Sequence, residues 1–164
     1  MNVRELLIGD FELGLMNLLG QLTVAPNIKF EDFVKQYIKL GHNTKIYVIE
    51  KEKKIIGYGS IYIDFKFYRN CKNIGHIEDI IIDKEFRGHG YSKFIIDRLL
   101  EFAKEKECYK IILNCIDGYA GFYQKMGFKL EGNTMINYIW YLFIYLFIYL
   151  FIYLFIYSGS NTSP

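Results

Sequence analysis

The sequence predicts a mixed α/β domain in which helices flank a central sheet. Two segments near the N-terminus have helical apolar spacing, and β-type runs separated by turns follow them. A glycine-containing loop then connects a strand to an amphipathic helix. With 164 residues the chain has a usual size for one domain that buries its own core. The predicted order of elements is α-α-β-β-β-α-β-α-β.

The two N-terminal helices are predicted from the spacing of apolar residues. Asp10 precedes apolar positions between residues 13 and 19 and is expected to cap the first helix, and Pro26 ends that region. The second helix stops before Gly41. One face of it is formed by residues at positions i, i+3, i+4, i+7 and i+8, namely Phe30, Phe33, Val34, Tyr37 and Ile38.

The strands are predicted from β-branched runs bounded by turns. A charged turn over 50–54 joins the first two runs into a hairpin, and a basic loop over 66–72 precedes the third. The remaining elements in chain order are strands over 46–49, 55–63, 76–82 and 109–115, a helix after residue 90, a short helix over 118–126 and a return strand that begins at Gly127-Phe128.

Charge and cysteine usage exclude several classes of protein. A net charge of +2 and a pI of about 8.3 are too mild to indicate nucleic-acid binding. The three cysteines have no CxxC spacing, which argues against a disulfide scaffold or a zinc site and favours reduced thiols in the cytoplasm. The N-terminus lacks the apolar core of a secretory signal. The histidines at positions 42, 76 and 89 have no metal-ligand spacing, so no metal is expected.

The C-terminal region is distinct from the domain over residues 1–137. Residues 138–157 form an apolar segment that contains four copies of Tyr-Leu-Phe-Ile, and a polar tail over 158–164 follows. As a helix, 20 residues would extend about 30 Å and could cross a bilayer. As a strand, Tyr and Phe would line one face and Leu and Ile the other. Three interpretations stay open: an anchor on the cytosolic face of a membrane, a packed or aggregated extension, and a repeat without a selected role.

The loop after the third strand has the features of a phosphate-binding site. Ile80, Ile81 and Ile82 lead through Asp83 to Arg87-Gly88-His89-Gly90-Tyr91-Ser92 and a helix. A helix start offers unpaired N–H groups, and glycines let the backbone approach an anion closely. Two glycines alone also fit an ordinary turn.

The spacing Arg-x-x-Gly-x-(small) resembles the pyrophosphate loop of the GNAT acetyltransferases, with Ser92 as a mild departure. Further segments resemble the glucosamine-6-phosphate N-acetyltransferases among them: 19–23, Lys66-Phe67, 75–80, 108–113 and 121–128. The resemblance implies the GNAT fold, a mixed and mostly antiparallel sheet flanked by helices. It also implies acetyl-CoA as co-substrate, glucosamine 6-phosphate as acceptor in UDP-N-acetylglucosamine synthesis, direct transfer without an acyl-enzyme, and a homodimer.

The same resemblance implies roles for individual residues. Tyr123 matches a tyrosine near the coenzyme sulfur, Glu78 and Asp79 match the acceptor segment, and the N–H of Ile80 matches an oxyanion donor. By strand alternation Glu78 and Asp79 would face opposite sides of the sheet unless a bulge intervenes. The implied coenzyme-binding residues are Ile80, Ile81, Ile82, Arg87, Gly88, His89, Gly90, Tyr91, Ser92, Asn114 and Tyr123. The implied substrate-binding residues are Thr23, Lys66, Glu78, Asp79 and Lys110.

Three positions depart from the pattern of this family. Asn114 stands where a carboxylate is usual, Tyr119 replaces an asparagine, and the segment around Asn137 lacks an arginine that contacts the sugar phosphate in relatives. Lys66, Arg69 or Lys72 could supply that charge instead. The alternatives are therefore a GNAT enzyme with another small or protein amine as acceptor, and a non-catalytic coenzyme-binding module held by the tail.

Overall fold

A computed structural model describes residues 2–23, 28–132 and 135 of the chain. Two compact units are distinguished, Met1–Lys129 and Leu130–Pro164. The first contains all the helices and strands described below. In the second, only residues 130–132 and 135 are described, so the apolar segment over 138–157 and the tail over 158–164 lie outside the described residues. Within the described part of the chain, no helix is long and apolar enough to cross a membrane.

The first unit is built on a sheet of five strands in the order β1-β2-β3-β4-β5. The strands are β1 (Asn2–Glu5), β2 (Thr44–Lys51), β3 (Lys54–Asp64), β4 (Asn73–Ile82) and β5 (Cys108–Leu113). Strands β1 to β4 pair antiparallel, whereas β5 runs parallel to β4. The prediction of a mixed, mostly antiparallel sheet is confirmed.

Four helices accompany the sheet. They are α1 (Leu15–Leu19), α2 (Phe30–Ile38), α3 (Tyr91–Glu105) and α4 (Asp117–Gln124). The predicted bounds of the second helix are confirmed, and Phe33 is its buried contact with the core. Gly90 precedes α3 with a φ of 76°, a left-handed conformation that suits glycine at this turn.

The core lies on both faces of the sheet. On one face α3 covers a cluster that includes Ile56, Ile61 and Ile77 of the sheet. On the other face α1 and α2 cover a second cluster around Val48 and Ile55. Burial of these side chains, each contributing about 1.5–3 kcal/mol relative to exposure, holds the helices on the sheet.

The first residues of the chain differ from the prediction. Residues 2–5, for which no element was predicted, form the edge strand β1 beside β2. The expected capping role of Asp10 is wrong, because this residue lies in a 3-10 turn over Ile8–Phe11 before α1. Its carboxylate is 1% exposed and accepts hydrogen bonds from Arg4 at 2.6 and 2.8 Å and from the Leu7 N–H. A buried carboxylate needs such partners, and the charge of Arg4 supplies them.

The end of the domain also differs. The return strand predicted from Gly127-Phe128 is absent from residues 128–132, which contain no helix or strand. Phe128 instead packs its ring edge-on against Tyr123, with centroids 5.9 Å apart. The apolar character of Phe128 is therefore used in a tertiary contact beside α4.

Gly59 lies at the most crowded point of β3, and its replacement by alanine is expected to destabilise the fold. An added Cβ would come within 2.5 Å of Ile80 Cδ1 and of Ile95 Cγ2. Overpacking of this kind costs about 1–3 kcal/mol, because buried neighbours must shift. The free energy of unfolding measured by urea denaturation should fall by that amount.

Gly9→Ala is the matched control for Gly59→Ala. A Cβ at Gly9 would meet nothing within 4 Å, and its φ does not lie in the left-handed region. This variant should unfold at about the same urea concentration as the unmodified chain. If both variants have the same free energy of unfolding, the side chains around Gly59 accommodate the added Cβ without destabilising the fold.

Candidate active site

A gap opens between β4 and β5 at their carboxyl ends. Their parallel pairing ends with Ile77 beside Leu113, where β5 stops, whereas β4 continues to Ile82. In the described part of the chain, no strand pairs with that edge of β4 beyond Ile77. Peptide groups on this edge are therefore placed to bind an extended polar ligand.

A β-bulge in β4 lies at the start of this gap. Ser60 pairs with Glu78 and Tyr58 pairs with Ile81, so Asp79 and Ile80 together oppose the single residue Gly59. Asp79 has a φ of 56°, which aspartate tolerates better than most residues. The bulge interrupts strand alternation, as required for Glu78 and Asp79 to face the same side of the sheet.

The gap forms part of a cleft of about 620 Å³. Its walls come from the gap edge of β4, the loop before α3, the turn after α1, and the segment from the end of β5 into α4. The lining residues are Gln21, Leu22, Ile80, Ile81, Ile82, Phe86, Arg87, Gly88, Gly90, Tyr91, Ser92, Asn114, Cys115, Ile116, Tyr119, Phe122 and Tyr123. The structure thus brings together all the predicted coenzyme-binding residues except His89.

The loop before α3 is shaped for an anion. Gly88 and Gly90 have φ values of 81° and 76°, and the N-terminus of α3, the end of a helix that attracts anions, follows directly. Arg87 stays exposed while its Nε donates to the Ile82 carbonyl at 2.9 Å, which holds the guanidinium beside the cleft. His89 turns to the loop itself, where its Nδ1 lies 2.9 Å from the Arg87 carbonyl and its ring stacks on Tyr91. His89 therefore stabilises the loop rather than lining the cleft.

Tyr123 lies in α4 at the wall of the cleft. Its ring is fixed edge-on between Phe122 and Phe128, with centroid distances of 5.0 and 5.9 Å. Burial, together with the nearby Cys115 and Tyr119, raises the pKa of the Tyr123 phenol above its ordinary value. The phenol is thus protonated at neutral pH and can donate a hydrogen bond or a proton.

The carboxylates of the bulge lie next to the cleft but do not line it. Partial desolvation and the charge of Asp79 raise the pKa of the Glu78 carboxyl, and His76 acts in the opposite direction. Burial, and again the charge of Asp79, raise the pKa of Tyr58 to about 12. Glu78 follows Ile77, which packs in the cluster under α3, so strand alternation places Glu78 on the α1 and α2 face. Tyr58, which the charge of Asp79 reaches, packs on the same face. A carboxylate with a raised pKa is suited to accept a proton from an amine.

The other predicted substrate-binding residues do not line the cleft. Thr23 is exposed in the turn after α1, next to Leu22, which does line it. Lys66 follows β3 and pairs with Asp64, which raises the pKa of its ammonium group. Lys110 is exposed on β5. Within residues 2–23 and 28–132, no group of His, Cys, Asp and Glu side chains could hold a metal ion.

Several lining residues had no predicted site role. Gln21 and Leu22 come from the turn after α1, Phe86 from the loop, and Ile116 and Phe122 from the segment after β5. Apart from the family resemblance of the segments over 19–23 and 121–128, these positions have no chemical motif of their own. Only the meeting of three distant segments at the gap gives them a role.

The strand order, the gap after Ile77 and the anion-binding loop at the start of α3 together form a site for a ligand that has an extended polar arm and an anionic group. The profile of the Acetyltransferase (GNAT) family matches residues 5–128, and the chain belongs to this family. GNAT enzymes use acetyl-CoA, and the loop and the gap fit its pyrophosphate and its extended pantetheine arm.

Its relatives in that family include glucosamine 6-phosphate N-acetyltransferases. The chain is 38% identical over 141 residues to the Arabidopsis thaliana enzyme, across 83% of this chain and 95% of that protein. It is 36% identical over 141 residues to glucosamine 6-phosphate N-acetyltransferase 1 of Dictyostelium discoideum, across 83% and 89% of the two chains. The crystal structure of the Arabidopsis enzyme superimposes with a TM-score of 0.81 over 84% of this chain and 97% of that one.

Proposed function

We propose that the protein transfers the acetyl group of acetyl-CoA to the amine of glucosamine 6-phosphate and releases N-acetylglucosamine 6-phosphate. The observation that carries this proposal is the 38% identity to the Arabidopsis enzyme across 95% of that protein. The cleft supports it, because the gap and the anion-binding loop accommodate the donor on one side. The carboxylates of the bulge lie next to the cleft and are proposed to receive the ammonium group of the acceptor.

Each part of the cleft has its own function in a direct transfer of the acetyl group. Arg87, Gly88 and Gly90 hold the coenzyme pyrophosphate, while the exposed edge of β4 pairs with the pantetheine arm. The N–H of Ile80 polarises the thioester carbonyl. The free amine attacks the carbonyl carbon of the thioester. The bond between this carbon and the sulfur of the coenzyme then breaks, and the Tyr123 phenol protonates the leaving thiolate. Proximity of the two substrates supplies much of the remaining rate.

The acceptor amine must lose a proton before or during attack. Glu78 has a raised pKa and no ion-pair partner among the described residues, so it is the better candidate to accept this proton, directly or through water. Asp79 orients the ammonium group and, by its charge, keeps the pKa of Glu78 raised. Lys66, Thr23 and Lys110 are proposed to hold the sugar phosphate. Arg69 is a further cation near Lys66 and Lys110, with its guanidinium 4.9 Å from the Tyr109 ring centre.

We also propose that two copies of the chain associate through the region between β3 and β4. Phe65, Phe67 and Tyr68 are exposed there, and Phe67 is 97% exposed. Tyr62 at the end of β3 extends this surface. Aromatic side chains exposed together mark an interaction surface rather than a solvated loop. A homodimer formed there would bring a second chain beside Lys66, which lies in the same connection.

The location is proposed to be cytoplasmic. The cysteines at positions 71, 108 and 115 are free thiols, which suits a reducing compartment. Membrane attachment through residues 138–157 is kept as part of this proposal, on the ground of their apolar sequence alone. Vesicle flotation of the full chain, with and without that segment, tests it.

Acceptor choice tests the proposed function. Free thiol release from acetyl-CoA by the full chain should be at least about 100-fold more efficient, in kcat/KM, with glucosamine 6-phosphate than with glucosamine. The physical reason is that a charge-assisted contact to the phosphate contributes about 1.5–3 kcal/mol, and the site offers more than one cation. A lysine peptide should give no turnover. Equal rates with and without the phosphate would indicate another small amine as acceptor, and binding of coenzyme without turnover would indicate a non-catalytic module.

A further inference from the structure

Lys54 begins β3, directly after the turn that joins it to β2, and contacts the start of the anion-binding loop. In the hairpin it stands opposite Lys51, the last residue of β2. Its ammonium group lies 2.8 Å from the Asp83 carboxylate and 3.5 Å from that of Glu85. Lys54 itself does not line the cleft. It can therefore affect a ligand of the cleft in two ways, through the loop or by the field of its charge.

Asp83 connects Lys54 with the backbone of the loop. This residue is 3% exposed, and its N–H donates to the Ile56 carbonyl of β3 at 2.8 Å. Its carboxylate accepts from the Glu85 N–H at 3.0 Å, and its carbonyl accepts from the Phe86 N–H at 2.8 Å. Burial raises the pKa of Asp83, but Lys54 and the Glu85 N–H lower it overall, so the carboxylate is ionised at neutral pH. Loss of the Lys54 ammonium would leave a buried charge without this cation.

The same hairpin contacts the ring of Phe86. The ammonium groups of Lys51 and Lys54 lie 4.9 and 5.7 Å from its ring centre, within the range of cation–π contacts. Phe86 lines the cleft, and so do Arg87 and Gly88, which follow it directly. The contacts of the hairpin therefore continue through the buried carboxylate and the aromatic ring to the residues that face the anion.

We propose that Lys54 is a positioning residue for the acetyl donor. Through Asp83 and Phe86 it holds the loop over 83–90 in the conformation that binds the phosphates of the coenzyme. A loop that is already ordered binds more tightly, because the ligand does not have to order it. This role concerns the donor side of the cleft and does not depend on which amine accepts the acetyl group.

Replacement of Lys54 with methionine tests the contact, since methionine is also long and unbranched but has no charge. Lys54→Met should bind coenzyme A about tenfold more weakly in calorimetry, as expected when a charge-assisted contact is lost. Lys54→Arg can still pair with Asp83 and should bind within about threefold of the original chain. Lys53→Met is the matched control. It removes the same charge one residue earlier, at an exposed position that forms none of the described ion pairs, and should leave the affinity unchanged.

The variant Asp83→Asn distinguishes the two ways in which Lys54 could act. If Lys54 acts through Asp83, adding Lys54→Met to this variant should weaken coenzyme A binding by less than about twofold. If Lys54 attracts the coenzyme phosphates by its charge alone, the loss should be the same with Asp83 and with asparagine at this position. Equal losses would therefore contradict the role of Asp83.

The choice of ligand separates positioning of the loop from general support of the fold. Pantetheine has the extended arm of the coenzyme but no phosphate, so it does not use the anion-binding loop. Its affinity, measured by NMR titration, should be the same for Lys54→Met and for the original chain. A thermal unfolding curve of each variant shows that the protein is folded at the temperature of the measurement.

Three further results would overturn the proposal. They are unchanged affinity of Lys54→Met for coenzyme A, an equal loss with Lys53→Met, and an equal loss of affinity for pantetheine. If Lys54→Met does not fold, Asp83→Asn alone still decides, because it keeps an acceptor for the Glu85 N–H but loses the charge that pairs with Lys54. Unchanged binding of coenzyme A by this variant contradicts the proposal. Failure of the original chain to acetylate glucosamine 6-phosphate would instead refute the proposed acceptor and leave these binding measurements valid.

Discussion

Replacing Tyr123 with phenylalanine is expected to lower kcat about 100-fold, the lower end of what a positioned acid contributes. The ring keeps its edge-on contacts with Phe122 and Phe128, so the cleft retains its shape. Only the hydroxyl that donates to the departing thiolate is lost. The affinity for coenzyme A in the absence of acceptor, measured by calorimetry, should therefore change little, whereas kcat falls.

The control for this variant is Tyr47→Phe. Burial also raises the pKa of Tyr47, but this residue packs in the cluster under α3 and does not line the cleft. Its loss of a hydroxyl should leave kcat unchanged. Full activity of the Tyr123→Phe variant would show that another group or water protonates the thiolate.

The dependence on pH follows from the direction of the shift. The pKa of Tyr123 is raised above its ordinary value of 10.0, so the phenol remains protonated throughout the neutral and mildly alkaline range. Deprotonation of this group therefore removes no activity in that range in the original enzyme. Cys115 lines the same wall of the cleft, close enough for its charge to contribute to this shift.

The periodic elements were predictable from sequence because one rule governs each of them. Helix α2 follows from its apolar spacing, and the hairpin of β2 and β3 follows from two β-branched runs around a charged turn. The loop after β4 was identified by its glycines and its place between a strand and a helix, and both glycines do adopt positive φ. In each case local and tertiary preferences agree.

The remaining features depend on contacts between distant segments. The bulge at Asp79 exists because Gly59 on the neighbouring strand leaves space for Ile80, which no pattern within β4 indicates. Asp10 lies before a helix as a cap would, yet Arg4 and the 3-10 turn determine its actual partners. Strand β1 has four residues and needs β2 to form. Gln21 contacts the loop before α3 only because the turn after α1 lies beside Lys84, whose N–H donates to the Gln21 side chain.

Replacing Glu78 with glutamine is expected to lower kcat about 100-fold at neutral pH, because the acceptor amine loses the group that takes its proton. Side-chain size and the bulge are preserved. As the pH rises, more of the amine is already deprotonated in solution, so the difference between variant and original should narrow. A pH profile of kcat for both proteins measures this convergence.

The Glu78→Gln variant should lose activity but should be at least as stable as the original protein. The pKa of Glu78 is raised above 4.5 in the folded protein, so its deprotonation disfavours the folded state. This loss develops as the pH rises from the ordinary value of 4.5 through the raised one, and it persists at neutral pH. Glutamine does not titrate, and the free energy of unfolding of Glu78→Gln at pH 7 should equal or exceed that of the original. Glu31→Gln on α2 provides the same change at an exposed position outside the lining of the cleft and should leave kcat unchanged. A variant that loses activity and stability together would show that Glu78 supports the fold, whereas loss of activity with retained stability would identify it as the base.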